Sequence, residues 1–305
     1  MIREIFADTG NAGKMLILLF LVTAFLFFSS LVGILALVPF LGTDVLKMLE
    51  NPDYSNIELV NGMKLVQIIN MIGGLLLPAL LYIWIFTPET GPRRIFSKKT
   101  NFSVLLASML LVVVSQAFIS WLNDINHLLR LPEALSGVEQ WMKNAEKSGE
   151  LVTTAFLKTT SITGFLVNVF MIAILPAFAE ELLFRGVLAQ HLKNWTGNIH
   201  LAVLISSLVF AAIHLQFYGF LPRFFLGAVL GYLFLGTGNI WLPVAAHFIN
   251  NFLSVLVEFL HQRGVVQGDA ESFGSVGTQY VLASVAAVAM LGYYIYRNHQ
   301  MAKPA

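Results

Sequence analysis

Apolar residues along this chain come in long blocks, without the short alternations of a soluble fold. The blocks cover residues 15–41, 63–87, 102–123, 161–190, 199–216, 219–236, 240–261 and 280–297. A run of about 20 apolar residues is what an α-helix needs to cross the hydrocarbon of a bilayer. The pattern therefore predicts an all-α fold, a polytopic membrane helical bundle of about eight transmembrane helices. The fifth and sixth blocks are short, with a weak break at Gly219–Pro222 between them. The first, Met15 to Leu41, is too long for the apolar core of a signal peptide and reads as a first membrane helix.

Asn123 to Thr160 is the only sizeable polar stretch between blocks. Within it Pro132 stands at a suitable first helical position. Leu135, Val138 and Met142 then recur at helical steps against Glu139, Lys143 and Glu146. This predicts an amphipathic helix near 125–158 lying at the membrane interface, a connecting helix sooner than a substrate lid. Three regions follow: N-terminal helices over 1–160, a core of helices over 161–261, and a last membrane helix with its tail over 262–305. Arg93, Arg94, Lys98 and Lys99 crowd one short loop, which the positive-inside rule assigns to the cytoplasm. Eight spans then put both termini on that side, with Arg3, Lys14, Arg297 and Lys303 in agreement. The expected location is a cytoplasmic membrane of bacterial type.

Composition agrees with the blocks. Charged residues make up 11% of the 305-residue chain, well under the roughly 25% of soluble domains. A net charge of +1 gives no basic face for nucleic acid. With no cysteine, disulfides, thiolate metal sites and a cysteine nucleophile are excluded.

Against so apolar a background, the ionisable residues of the later blocks call for an explanation, since each costs about 2.5–3.5 kcal/mol at the bilayer centre. The fourth block carries Glu180, Glu181 and Arg185, the fifth His214, and the seventh His247 and Asn251. Side chains four apart share a helix face, so Arg185 can neutralise Glu181, and His247 and Asn251 point the same way. Glu180 is turned by about 100° from Glu181 and is free to face another helix. At about 1.5 Å per residue, Glu180 lies roughly 18 Å from Leu192 and His214 roughly 22 Å from Ile199; His247 and Asn251 lie roughly 12 and 18 Å from Asn239. Antiparallel neighbours would hold all four at similar depth. Pro176 and Pro243 each precede a site residue by four, which predicts kinks that free backbone carbonyls. Gly227 and Gly231 form a small-xxx-small step for close helix approach.

These groups admit several chemistries. A carboxylate and an imidazole can activate a water, while a second imidazole and an amide stabilise an oxyanion. The same set could hold a zinc ion with its water, although no HExxH helix is present. Intramembrane glutamate and histidine also build proton relays in transporters. A lone buried histidine is ordinarily a satisfied core residue, and a lone Glu–Arg pair is as readily packing glue. The residues by themselves leave hydrolase and transporter evenly matched.

The segments "EELLFR" (Glu180, Glu181, Arg185), "FAAIH" (Phe210, His214) and "HFINN" (His247, Asn251) resemble the EExxxR, FxxxH and HxxxN motifs of the CPBP family. These are the CAAX-protease and bacteriocin-processing membrane proteins, also called Abi or type II CAAX prenyl endopeptidases. The resemblance covers about residues 160–260 and implies peptide-bond hydrolysis within the membrane. It implies that Glu180 and His214 activate the water, that His247 and Asn251 stabilise the oxyanion, and that Glu181 and Arg185 support Glu180. It implies a membrane-embedded or lipidated peptide or protein as substrate, in contact with the lipid bilayer. It leaves open whether the cofactor is none or one divalent metal, zinc, held by Glu180, His214, His247 and Asn251; an amide at position 251 favours the metal-free arrangement. The alternative is a non-enzymatic membrane protein, a transporter or a bacteriocin-immunity or binding factor on the same scaffold.

Overall fold

The computed structural model describes residues 2–6, 8–87, 95–266 and 277–301. Its elements are helices, with no strand among the described residues. Nine make up the frame: α1 (Asn11–Leu41), α2 (Ile57–Phe86), α3 (Phe102–Leu128), α4 (Ser136–Leu157), α5 (Ile162–Thr196), α6 (Ile199–Ala212), α7 (Phe220–Thr237), α8 (Trp241–Gln262) and α9 (Thr278–Met301). Among the described residues seven helices are long and apolar enough to cross a membrane, including α1, α2, α3, α5 and α8. The fifth predicted span is shorter than expected. α6 has 14 residues, a length of about 21 Å, which is less than the hydrocarbon core.

The helix ends follow local chemistry. The Asn56, Asn101, Ser161 and Asn198 side chains accept from backbone N–H groups at the starts of α2, α3, α5 and α6. Gly197 and Gly238 close α5 and α7 with φ of +68° and +64°, a left-handed region where a side chain is strained. α5 is the most enclosed rod and α1 the least. The main core lies where α5 meets α2, α6, α7 and α8, with Leu182, Leu183, Phe184, Val203, Phe210 and Val244 in it. α1 is tied to α2 by Ser29 and Ser30, which both donate to Asn70 Oδ1 at 2.9 and 3.1 Å.

Several details depart from the sequence reading. Pro132 precedes a single 3-10 turn, Glu133–Leu135, and α4 begins only at Ser136. Glu139 and Glu146 do not face outward with Lys143: the Glu139 side chain is 16% exposed, and Glu146 Oε2 accepts the Tyr218 N–H at 3.0 Å. An early span carries a buried ionisable group as well: Lys64 of α2 donates to Asn168 Oδ1 at 2.9 Å. Arg93, Arg94 and Lys303, on which part of the orientation rests, lie outside the described residues.

Candidate functional site

The centre of α5 is not a regular α-helix. π-helical turns run over Val169–Ile174 and Glu181–Ala189, on either side of Leu175–Glu180. Such wider turns place adjacent residues differently from an ideal helix. Arg185 Nη1 donates to Glu181 Oε1 at 2.8 Å, with side chains 2% and 0% exposed. Arg185 Nη2 donates to the Gly227 carbonyl at 3.2 Å, and its guanidinium lies 4.5 Å from the centre of the Phe210 ring. A carboxylate, a carbonyl and a π-face thus enclose one buried cation. Gly227 makes this possible, since a Cβ there would stand 3.1 Å from Ser207 Cβ and 3.3 Å from Phe210 Cδ1. The small-residue step on α7 therefore does bring α6 and α7 close.

Glu181 has a second partner that helical spacing could not reveal. His247 Nδ1 lies 2.7 Å from the same Oε1. An ionised carboxylate only accepts, so this imidazole nitrogen is the donor. The opposite nitrogen, Nε2, faces Glu180 Oε2 at 3.9 Å, beyond direct hydrogen-bond range. Two adjacent carboxylates therefore flank both nitrogens of one buried imidazole. Glu181 Oε2 is buried with no hydrogen-bond partner among the described residues.

His214 does not lie within a helix, contrary to the sequence reading. α6 ends at Ala212, and His214 occupies the turn beyond it. Leu215 next to it has a φ of +53°, a conformation that ends the helix and is uncommon for any residue but glycine. His214 Nδ1 donates to the Phe210 carbonyl at 2.7 Å, which leaves the lone pair on Nε2. The Phe210 ring is a common wall, 4.9 Å from His214 and 6.2 Å from His247 between ring centres.

Asn251 is one turn along α8 from His247, but its amide is already engaged. Nδ2 donates to the Ile172 carbonyl at 3.0 Å. Ile172 lies in the π-helical turn just before Pro176, whose missing N–H interrupts the backbone ladder of α5. The amide thus adds a donor from α8 to the stretch of α5 next to that gap. No hydrogen bond joins Asn251 to Glu180, His214 or His247 among the described residues. Pro243 opens no such gap, because it lies in the first turn of α8, where N–H groups have no helical partner.

Glu180, Glu181, Arg185, His247 and Phe210 thus meet in one buried cluster, with His214 on the Phe210 side and Asn251 one turn away. No three His, Cys, Asp or Glu among the described residues come together as a metal cage, so the residues as placed do not fit a shared zinc. Sequence reasoning missed Arg223. It lies on α7 one turn before Gly227, within electrostatic reach of Glu180 and Glu146. The rule that flagged Glu180, a charge inside an apolar block, would have found it.

Residues 162–253 match the family model described as type II CAAX prenyl endopeptidase Rce1-like. The chain is similar to the "Uncharacterized protein YpbD" of Bacillus subtilis (strain 168), at 35% identity over 101 residues, 32% of this chain and 49% of that protein. It is also similar to the "Putative membrane peptidase YdiL" of the same organism, at 29% identity over 95 residues, 31% of this chain and 38% of that one. The chain thus matches half or less of the length of either relative. No solved structure matches it. Every residue of the buried cluster lies inside the stretch, residues 162–253, that is similar to the Rce1-like family of type II CAAX prenyl endopeptidases.

Proposed function

We propose that this protein is an intramembrane endopeptidase that hydrolyses a peptide bond with a water activated by Glu180 and His214. The observation that carries the reading is the imidazole of His247 set between Glu181 Oε1 at 2.7 Å and Glu180 Oε2 at 3.9 Å. Glu181 is committed to Arg185 and to His247 Nδ1. Glu180 is left to accept a proton, with His247 Nε2 the nearest imidazole nitrogen to receive it. Water gives one hydrogen to Glu180 and shares the other with the His214 Nε2 lone pair. Its oxygen then attacks the carbonyl carbon as the carbon–oxygen π pair moves to oxygen. Glu180 passes the proton to His247 Nε2, whose N–H hydrogen-bonds the oxyanion; as the oxyanion pair re-forms the C=O bond and the C–N bond breaks, that proton is transferred to the leaving nitrogen. Asn251, held against Ile172, keeps one amide hydrogen for the same oxyanion. General acid–base catalysis of this kind is worth about 10²–10⁴-fold.

The substrate class follows from the surroundings. An apolar cavity of about 470 Å³ between α5 and α8 is lined by Ile174, Phe178, Trp241, Val244 and Phe248 together with Lys98, although no residue of the cluster itself lines it. It suits the apolar part of a membrane-embedded or lipidated peptide. The test is cleavage of a membrane peptide in proteoliposomes by the wild type and by Glu180→Gln. Loss of turnover in a folded Glu180→Gln protein is the expected result, and turnover retained there would reject the role.

A further inference from the structure

The turn that carries His214 has a feature that the hydrolytic reading does not account for. It leaves the end of α6 through a left-handed residue, Leu215, and nothing in its own sequence fixes that conformation. Its supports come from elsewhere. Arg223 of α7 reaches back to Gln216, with Nη1 donating to the Gln216 carbonyl at 3.3 Å and Nη2 to its side-chain Oε1. Gly219 leaves the room for this, since a Cβ there would collide with the guanidinium. Its φ of −105° puts no demand on the backbone, so space is the requirement that glycine meets. Farther along, Asn126 of α3 donates to the Phe217 carbonyl at 2.8 Å and accepts the Leu221 N–H at 2.8 Å. Glu146 of α4 takes the Tyr218 N–H, and Trp141 packs on Phe217 with ring centres 5.2 Å apart.

We propose that Arg223 is a positioning residue for His214, acting through Gln216 to hold the turn in the one conformation that sets the direction of the His214 imidazole against Phe210. Resting on the hydrolytic reading, this gives α3 and α4 a part in the site, because both brace the same turn from the N-terminal half. A guanidinium suits the task better than an ammonium, since its planar fork meets two acceptors of one residue at fixed geometry. Its charge also lies within electrostatic reach of Glu180 and His214, so loss of the clamp moves a cation as well as a ring.

The experiment is steady-state cleavage of a membrane peptide by Arg223→Ala, Arg223→Lys and Gly219→Ala, each repeated in a His214→Ala background. Misplacing a reacting group by about 1 Å costs on the order of 10²-fold. The expected result is a fall of that order in kcat for Arg223→Ala and Gly219→Ala, with KM unchanged and Arg223→Lys intermediate. In the His214→Ala background the same changes cost nothing further. An equal further loss in that background would overturn the proposal, because Arg223 would then act on the substrate itself. The imidazole resonances of His214 in 15N-labelled protein give a readout without turnover. They shift in Arg223→Ala and Gly219→Ala but not in Lys64→Met, and an unmoved His214 signal would overturn the proposal. Should the wild type cleave no peptide, the hydrolytic reading fails while the resonances still decide the role of Arg223. Gln216→Ala, which removes one acceptor and keeps the arginine, serves if Arg223→Ala does not fold.

Discussion

Arg185→Met offers a direct measure of what the buried cluster costs and contributes. The substitution keeps an apolar stem and removes a cation that has three partners: Glu181 Oε1 at 2.8 Å, the Gly227 carbonyl at 3.2 Å and the face of Phe210 at 4.5 Å. What remains is a carboxylate with 0% exposure beside a second one, Glu180. Breaking a buried pair from one side costs about 3–5 kcal/mol, because the partner is left charged and unpaired. That is roughly 10²–10⁴ in the unfolding constant. Glu181→Gln with Arg185→Met should lose less than Arg185→Met alone, since no lone charge remains and the side-chain amide oxygen introduced by Glu181→Gln still accepts from His247 Nδ1. The assay is reversible unfolding in mixed micelles followed by circular dichroism, for both single variants and the double. A loss below about 1 kcal/mol for Arg185→Met, or a double variant equal to the sum of the singles, would refute the reasoning, because contacting groups must couple.

Other consequences can be measured on the same material. Asn251→Leu removes a donor that meets the Ile172 carbonyl, and unfolding should show a loss of about 0.5–1.5 kcal/mol, the net worth of one hydrogen bond. Gly227→Ala forces a Cβ to 3.1 Å from Ser207 Cβ; about 1–3 kcal/mol is the expected loss for overpacking, with activity falling as the Gly227 carbonyl leaves Arg185. At Leu215, asparagine should preserve turnover because it tolerates the left-handed region, whereas valine should lose about 1 kcal/mol or more. Cleavage by the purified wild type should survive a strong chelator, and loss of turnover restored by zinc would show that Glu180, His214 and His247 close around a metal.

The membrane frame was legible in hydropathy alone. A block of apolar residues long enough to cross hydrocarbon has one economical backbone, the helix, so seven of the eight predicted spans appear with boundaries shifted by a few residues at most ends. The same pattern also singled out Glu180, Glu181, Arg185, His247 and Asn251, because a charge or amide in such a block is costly and therefore conspicuous. Even the Glu181–Arg185 pair was readable, being local to one helix. What spacing could not supply was the partner across helices. That one oxygen of Glu181 serves both Arg185 and His247, that Asn251 spends an N–H on the Ile172 carbonyl, and that His214 stands in a turn clamped by Arg223 are facts of tertiary contact. Each depends on where two rods cross and how each is rotated, and π-helical turns in α5 change that rotation without leaving a mark in hydropathy. Local periodicity fixes which face a residue shares with its neighbours along the chain; only packing decides what that face meets.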